Sequence, residues 1–369
     1  MHLSAPTSQE IPALDHEPTL DTRHVQAERR YEFLDVLRGF GACAVFLQHV
    51  GERLSPEFSW FTTYYFQLGQ CGVMLFFLCS GFIIPASLER HNSLTKFWIG
   101  RVFRLYPLYW LSLAMAIGLD LIKIYRLPQI FSEAPVLAIL ANMSMIQTFV
   151  GISDALPPYW SLTFEMLFYF IISGLFFLQW HKNTGLLTMI FLILALLISL
   201  ACSLLGIATA IHLGYYIASM FVGTLLYRVL RHEMAPSLAR VIIVCAVVVG
   251  IMTLALGFWG RDDPSTGGTK GFLPMLSAWI GAYLVFGVVF LQRKRQYPRL
   301  FLHCGVISYS IYLLHPFVMT MLPIYSFPLL AFALWVSIVI GVATLTYNYV
   351  EVPCITLGRR IIARWSTQP

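Results

Sequence analysis

Charged residues are scarce in this chain of 369 residues. Only 11% of the residues are Asp, Glu, Lys or Arg and 58% are hydrophobic, whereas soluble domains average about 25% charged residues. This composition excludes an ordinary soluble protein, and the recurring long apolar runs predict a polytopic membrane protein. The formal net charge of +6 does not indicate a nucleic-acid partner, because the basic residues lie mainly in the loops between the apolar runs, as membrane topology requires.

Features of disulfide-stabilised, metal-binding and nucleotide-binding proteins are also missing. The seven cysteines are an odd number without metal-ligand spacing, so neither a disulfide framework nor a metal site is predicted. No glycine-rich nucleotide loop is present. Residues 1–30 are polar with three prolines and have no apolar core, which excludes a signal peptide and predicts a disordered cytoplasmic tail.

The apolar runs define eleven candidate helical segments. They cover residues 34–50, 69–87, 101–123, 135–150, 159–179, 186–206, 212–230, 239–258, 272–291, 302–322 and 327–350. The fourth segment is short and holds Asn142, Ser144 and Gln147. If this segment does not cross the membrane, 19 of the 24 Lys and Arg residues lie on the cytoplasmic side and 5 outside, which satisfies the positive-inside rule.

The sequence therefore predicts an all-α membrane protein with ten spanning helices and both termini in the cytoplasm. Segment 135–150 is predicted to be a re-entrant or interfacial element on the outer side, where its non-helical backbone has to be buried in protein. The membrane domain is predicted to cover residues 31–355, and residues 356–369 are predicted to form a cytoplasmic C-terminal tail.

The first apolar segment, LDVLRGFGACAVFLQHV (34–50), carries the ionisable residues Asp35, Arg38 and His49. Ionisable residues inside a membrane span are costly, and their default interpretation is functional. Arg38 and His49 are eleven residues apart, which is about 20° beyond three helical turns, so they share one face about 16 Å apart. Asp35 lies three residues before Arg38 on the same face. The segment predicts a polar stripe through most of the membrane, although simple anchoring of the helix ends remains an alternative.

The segment WSLTFEMLFY (160–169) opens a later helix from the outer side and carries a second intramembrane charge. Ser161 and Glu165 lie on one helical face, and we predict that Glu165 lies at the depth of His49. A carboxylate beside an imidazole orients the ring and increases its basicity, which is the arrangement of a general base.

The segment SYSIYLLHP (308–316) has a polar face of its own. Ser308, Tyr312 and His315 follow the helical spacing i, i+4, i+7, which brings them onto one side of a helix. A single histidine on a helix is usually a core residue. A Ser, Tyr and His stripe beside a second histidine and a glutamate favours a functional interpretation.

Two further segments combine packing and chemical signals. In RVFRLYPLYW (101–110), Arg101 and Arg104 are helical neighbours, and paired arginines suit phosphate oxygens; the positive-inside rule alone also explains them. In GVMLFFLCSGFIIP (72–85), the small residues Ser80 and Gly81 lie in mid-membrane. They permit close helix approach, and a direct role for Ser80 stays open.

Taken together and in this order, the five segments resemble the acyltransferase-3 family of integral-membrane O-acyltransferases over nearly all of residues 31–350. The first segment is similar to the family's Arg-x10-His motif, with Arg38 and His49 in the motif positions. The others are similar to its Gly-Val-x-x-Phe-Phe-x-x-Ser-Gly-Phe, Arg-x-x-Arg, Trp-Ser-Leu-x-x-Glu-x-x-Phe-Tyr and Ser-Tyr-x-x-Tyr-x-x-His motifs. One departure is Met74, which stands where many members carry an acid.

The resemblance implies transfer of an acyl group, commonly acetyl, from cytoplasmic acyl-CoA to a hydroxyl group on a sugar. The implied acceptors are glycans or glycolipids, such as exopolysaccharide or lipopolysaccharide, and the implied location is the bacterial cytoplasmic (inner) membrane, in contact with the lipid bilayer. Arg101 and Arg104, together with Arg38, are then expected at the CoA phosphates and along the path of the donor. No metal is expected.

The resulting hypothesis makes His49 the general base, with Glu165 and Arg38 as the other catalytic residues. Arg38, Tyr312 or Ser310 would hold the acyl chain or stabilise the developing oxyanion. The predicted substrate-binding residues are Trp160, Ser161, Ser310, Tyr312 and His315.

An acyl-His49 intermediate is a second form of this hypothesis, and the residues do not separate the two. A proton-coupled transporter or glycan exporter, which would use Glu165 and His49 as a proton relay, is the alternative from another functional class. A non-catalytic membrane scaffold is a third. The acceptor glycan, the acyl chain and the oligomeric state stay open at this point.

Overall fold

The computed structural model describes residues 31–207, 213–258, 271–321 and 328–366. All regular elements within these residues are helical, which confirms the all-α prediction. The α-helices are α1 (Glu32–Leu54), α2 (Pro56–Tyr64), α3 (Leu68–His91), α4 (Leu94–Leu121), α5 (Ile130–Glu133), α6 (Pro135–Met143), α7 (Tyr159–Phe177), α8 (Thr184–Leu204), α9 (Leu213–Leu230), α10 (Pro236–Phe258), α11 (Phe272–Leu291), α12 (Arg299–Val306), α13 (Ser308–Met321), α14 (Pro328–Thr346) and α15 (Val352–Ser366).

The described residues contain eight helices that are long and apolar enough to cross a membrane. The consecutive helices α12 and α13 meet at 71° and together form a ninth candidate span. Helix α9, with 18 residues, occupies the remaining predicted segment. The predicted tail 1–30 lies outside the described residues, and the segment predicted as a C-terminal tail continues α15 as far as Ser366.

The segment 135–150 forms two short elements instead of one spanning helix. These are α6, with nine residues, and the 3₁₀ helix Gln147–Val150. Nine residues of α-helix extend only about 14 Å, less than the roughly 30 Å of the hydrocarbon core. The prediction that this segment does not form a transmembrane helix is therefore confirmed.

Helices α1, α3 and α9 form the centre of the bundle. Helices α1 and α3 run in opposite directions, because Gly41 packs on Gly72 while Gln48 accepts a hydrogen bond from the backbone N–H of Gly69. The end of the bundle at which α1 begins is termed the near end, and the end at which α1 finishes is termed the far end. The backbone of α9 at Met220 lies directly against Gly81 of α3, where a Cβ atom would clash. The small residue at position 81 thus serves close helix packing, as expected.

A buried ion network joins several helices at the near end. Arg228 is 2% exposed and donates hydrogen bonds to Glu89 of α3, to Glu233 (2.7 Å) after α9, to the Thr184 hydroxyl (3.1 Å) and to the His181 carbonyl (3.1 Å). Both carboxylates compensate the guanidinium charge, and the hydrogen bonds use all three of its nitrogens. We refer to these groups as the Arg228 network, which ties α3, α8 and α9 together.

Candidate active site

Two histidines from different helices meet towards the far end of the bundle. The rings of His49 on α1 and His315 on α13 are stacked, with centroids 5.4 Å apart and an interplanar angle of 13°. His315 is 2% exposed, whereas His49 is half-buried. Both histidines were predicted from the sequence as residues of the site. The structure adds that their rings form a direct pair.

The backbone of α13 fixes the tautomer of His315. Its Nδ1 atom lies 2.8 Å from the Tyr312 carbonyl oxygen and 3.3 Å from the Ile311 carbonyl oxygen. Carbonyl oxygens only accept hydrogen bonds, so Nδ1 carries a proton and the neutral ring keeps its lone pair on Nε2. His315 is therefore held in a defined orientation beside His49.

Tyr312 and Ser161 extend the polar surface from the histidines towards the middle of the bundle. Their hydroxyl oxygens lie 2.7 Å apart, and both side chains are buried. This hydrogen bond links α13 to α7. The two predicted substrate-binding residues thus form one hydroxyl pair, about one helical turn from His315 towards the near end.

Glu165 has hydrogen-bond partners in the middle and near half of the bundle. Its Oε1 atom accepts hydrogen bonds from the hydroxyl groups of Ser80 (3.0 Å) and Tyr169 (2.6 Å). Ser80 therefore has a direct polar role in addition to lying beside the packing contact of Gly81. The buried ring of Tyr169 lies 5.9 Å from the Arg101 guanidinium carbon.

The depth of Glu165 differs from the predicted one. Along α3, Ser80, the hydrogen-bond partner of Glu165, lies eleven residues from Gly69, which is level with Gln48 beside His49. A second route gives about seven residues: three along α13 from His315 to Tyr312, and four along α7 from its partner Ser161 to Glu165. At 1.5 Å per residue, Glu165 lies roughly 10 to 16 Å nearer the near end than the histidine pair. The expectation that it shares the depth of His49 is wrong.

Three arginines form a cluster in the near half of the bundle, and we refer to Arg38, Arg101 and Arg104 as the arginine cluster. Arg104 interacts electrostatically with Arg38, and Arg101 with Arg104 and with Glu165. All three side chains are half-buried. In the described part of the chain, none of them has a carboxylate within ion-pair distance. Carboxylates such as Asp35 and Glu165 interact with the cluster electrostatically from beyond that distance, so its guanidinium groups are not engaged in direct ion pairs with the described residues.

Sequence reasoning missed a buried carboxylate beside this cluster. Glu351 is 2% exposed and lies in a π-helical segment, Tyr347–Glu351, between α14 and α15. It accepts a hydrogen bond from Ser310 (2.5 Å) and interacts electrostatically with Arg104 and Arg38. The available signal was a lone acid followed closely by a proline in the sequence NYVEVP, just beyond the predicted span 327–350.

The side chains of two predicted substrate-binding residues, Ser310 and Trp160, contact groups other than the histidine pair. The Ser310 hydroxyl donates to Glu351 and accepts a hydrogen bond from Thr346 (3.0 Å). Trp160 is half-buried and packs against the rings of Tyr216 (5.5 Å) and Phe164 (6.0 Å). Neither residue is brought to the histidine pair by a contact in the described structure.

These polar side chains lie one after another along the interior of the bundle, and we refer to them as the polar path. It begins at the arginine cluster with Glu165 and Glu351, continues through the hydroxyl pair of Ser161 and Tyr312, and ends at the histidine pair. The near end of this path has the charge to hold anions, and its far end has an imidazole able to accept a proton. Within the described residues, no group of three or more His, Cys, Asp or Glu side chains is arranged for a metal ion.

Comparison with known proteins gives one family and several relatives. The family model described as "Acyltransferase domain" matches residues 31–349. The exopolysaccharide production protein ExoZ of Rhizobium meliloti (strain 1021) is 27% identical over 278 residues, which cover 69% of this chain and 78% of that protein.

Two shorter matches concern proteins of other bacteria. Nodulation protein 10 of Rhizobium leguminosarum bv. viciae is 30% identical over 37% of this chain and 41% of that protein. The acyltransferase MdmB of Streptomyces mycarofaciens is 27% identical over 38% of each chain. No solved structure matches significantly.

Proposed function

Because the chain belongs to the acyltransferase-3 family, and is thus a membrane enzyme that transfers acyl groups, we propose that its donor is acyl-CoA, most simply acetyl-CoA, and that its acceptor is a sugar hydroxyl group on an exopolysaccharide, lipopolysaccharide or other glycan. The similarity to a protein named for exopolysaccharide production supports a polysaccharide acceptor. The observation that carries the proposal is the polar path, which joins an anion-binding cluster to an imidazole inside one bundle.

We place the near end in the cytoplasm and the enzyme in the bacterial inner membrane. The loops and helix ends at the near end carry most of the basic residues in the described ranges, and basic loops remain in the cytoplasm. Both termini then lie on the cytoplasmic side. The donor enters there, with its phosphate groups at Arg101 and Arg104 and its acyl arm extended along Arg38 towards the far end.

His49 acts as the general base in this proposal. Its imidazole takes the proton of the acceptor hydroxyl while the hydroxyl oxygen attacks the thioester carbonyl carbon. The new C–O bond forms, the C–S bond breaks, and the CoA thiolate leaves and takes up a proton. Support comes from the paired ring of His315, which restricts the orientation of His49, and from the Tyr312 hydroxyl, which can donate to the developing oxyanion.

Glu165 receives a different role from the one that its motif position favours. It is too far along the bundle to orient His49, and its hydrogen bonds to Ser80 and Tyr169 support a role beside Arg101, in shaping the donor path. An acyl-His49 intermediate differs from direct transfer by ping-pong kinetics, in which CoA is released before the acceptor binds.

The test uses membranes that carry the wild-type protein, radiolabelled acetyl-CoA and a crude glycan fraction. We expect the wild type to label the glycan and His49→Ala to lose activity by about 10²–10⁴-fold, the usual contribution of a general base. His303→Ala is the matched control, because His303 is exposed on α12 and outside the polar path; it should keep its activity. Full activity of His49→Ala would refute the assignment of the base, and a wild type that neither binds nor uses the donor would favour a transporter.

A further inference from the structure

The last helix, α15, packs along the near end of α4 in the opposite direction. Gly358 lies against Phe103, where an added Cβ atom would come within 2.8 Å of the Phe103 side chain. One turn later in α15, Ile362 lies against Gly100. As residue numbers rise along α15 they fall along α4, so the two helices are antiparallel and their line of contact is defined.

This contact line determines which side chains share a side of the helix pair. Each residue turns about 100° around a helix. In two antiparallel right-handed helices, the residue that directly follows a contact residue turns to the same side on both helices. Arg101 and Arg104 follow the α4 contact residues Gly100 and Phe103, and Arg359 follows Gly358. The three arginines therefore lie on one side of the contact.

The neighbouring arginine of α15 lies elsewhere. Arg360 is two residues beyond Gly358 and about 200° around the helix, which turns it away from α4. The side that holds Arg359 is the side on which Arg101 stacks over the ring of Tyr169 of α7. It is thus the side on which Tyr169 and its hydrogen-bond partner Glu165 lie, whereas Arg360 faces outward.

The three guanidinium groups on this side keep their charge available. Within the described residues, none of Arg101, Arg104 and Arg359 has a carboxylate within ion-pair distance. Arg359 is exposed, and its position between Gly358 and Ile362 puts it at the level of Arg101 and Arg104. Several planar guanidinium groups at one level, with no direct ion pair to a described carboxylate, provide a site for phosphate oxygens.

We propose that Arg359 completes a three-arginine site, with Arg101 and Arg104, that binds the phosphate groups of the nucleotide-bearing donor. The inference rests on the proposed function, since it takes acyl-CoA as the donor, and it makes α15 a part of the binding site. Anionic phospholipid headgroups present the same phosphate chemistry. The side on which Arg359 lies favours the donor, because Tyr169 and Glu165, at the near end of the polar path, lie on that side.

The test measures CoA binding by calorimetry with the full-length protein in a neutral detergent. We expect Arg359→Gln to raise the Kd for CoA about tenfold, the effect of losing one charge-assisted phosphate contact. Arg101→Gln should raise the Kd at least as much. Arg360→Gln removes the same charge from the next residue of α15 and should change the Kd less than twofold. Thermal unfolding of each variant verifies that the fold is retained.

Two results would overturn the inference and leave the proposed function intact. One is an unchanged Kd for Arg359→Gln together with weaker binding by Arg101→Gln. The other is normal CoA binding by Arg359→Gln with loss of binding to vesicles of phosphatidylglycerol and phosphatidylcholine, which would assign Arg359 to lipid headgroups. If the wild type itself does not bind CoA, the donor of the proposed function fails, and the inference fails with it.

Discussion

Arg228 and Arg104 are both arginines in the near half of the bundle, and their surroundings are opposite. Arg228 is fully buried, with two carboxylates, a hydroxyl and a carbonyl as hydrogen-bond partners. Arg104 is half-buried, lies beside Arg38 and Arg101, and has no carboxylate within ion-pair distance among the described residues.

The difference separates a structural charge from a binding charge. A buried guanidinium whose nitrogens all have partners has no capacity left for a ligand, and removal of one partner leaves the others unpaired. A cluster of guanidinium groups whose neighbouring carboxylates lie beyond ion-pair distance is only partly compensated, which is electrostatically less favourable. It becomes favourable when an anion arrives, so the cost in the free protein is consistent with a role in binding.

The largest expected effect comes from replacing Arg228, the arginine whose nitrogens all have hydrogen-bond partners. Arg228→Gln removes the cation buried beside Glu89 and leaves Glu233 with only the exposed Arg231, 3.6 Å away. Removing one partner of a buried ion pair costs roughly 3–5 kcal/mol. We expect a strongly lowered melting temperature in detergent and poor insertion. Arg231→Gln is the control, because the Arg231 side chain is 58% exposed and its loss should change stability by about 0.5 kcal/mol or less. Equal melting temperatures for the two variants would contradict a structural role for the Arg228 network.

A smaller effect, on donor binding instead of stability, is expected at the arginine cluster. Arg104→Gln removes a binding charge and relieves repulsion from Arg38 and Arg101, so we expect an unchanged or higher melting temperature. The KM for acetyl-CoA should rise about tenfold, which corresponds to about 1.4 kcal/mol. Arg90→Gln, which removes an exposed charge from the end of α3, should leave the KM unchanged. A large loss of stability in Arg104→Gln would remove the contrast between the two arginines.

The smallest expected effect concerns the pH dependence of the Arg228 network. Burial lowers the pKa of His181, Arg228 lowers it further, and Glu89, 3.7 Å from its Nε2, opposes the shift. The unfolded chain, with an ordinary histidine pKa of about 6.5, therefore binds the proton more readily than the folded protein. Stability is complete above that pH and is lost as the pH falls through the lowered folded pKa.

His181→Gln removes this proton-linked term. We expect the melting temperature of the wild type to fall more between pH 7.5 and pH 5.5 than that of His181→Gln. His303→Gln, at an exposed histidine of the near end, should follow the wild type. Parallel pH profiles for the wild type and His181→Gln would exclude a contribution from His181.

Much of the fold follows from local properties of the chain. The length and hydropathy of each apolar run predict a helix whatever its neighbours are. The positive-inside rule, together with the short length and polar residues of 135–150, predicts that this segment does not span the membrane. The face shared by Arg38 and His49 also depends only on helical periodicity. For this reason both ends of the polar path were predictable from the sequence.

The relations between helices were less predictable. From the sequence, Glu165 was predicted to lie at the depth of His49. In the structure, the close contact of Gly41 with Gly72 fixes the relative position of α1 and α3 along the bundle. The hydrogen bond from Ser80 on α3 then places Glu165 nearer the arginine cluster. Glu351 was missed because hydropathy ends the predicted span at residue 350. Its hydrogen bond from Ser310 joins two residues that are 41 positions apart in the sequence.

The sequence alone determined that this is a helical membrane protein with ionisable residues inside it, because insertion into a bilayer depends on the composition of each segment and helical periodicity assigns residues to faces. Only the tertiary structure decided which charges are neutralised and which stay open, which histidines are paired, and which arginine of α15 shares a side with the arginine cluster. The physical reason is that electrostatic and hydrogen-bond energies depend on distances between helices, and these distances are set by side-chain packing across the bundle.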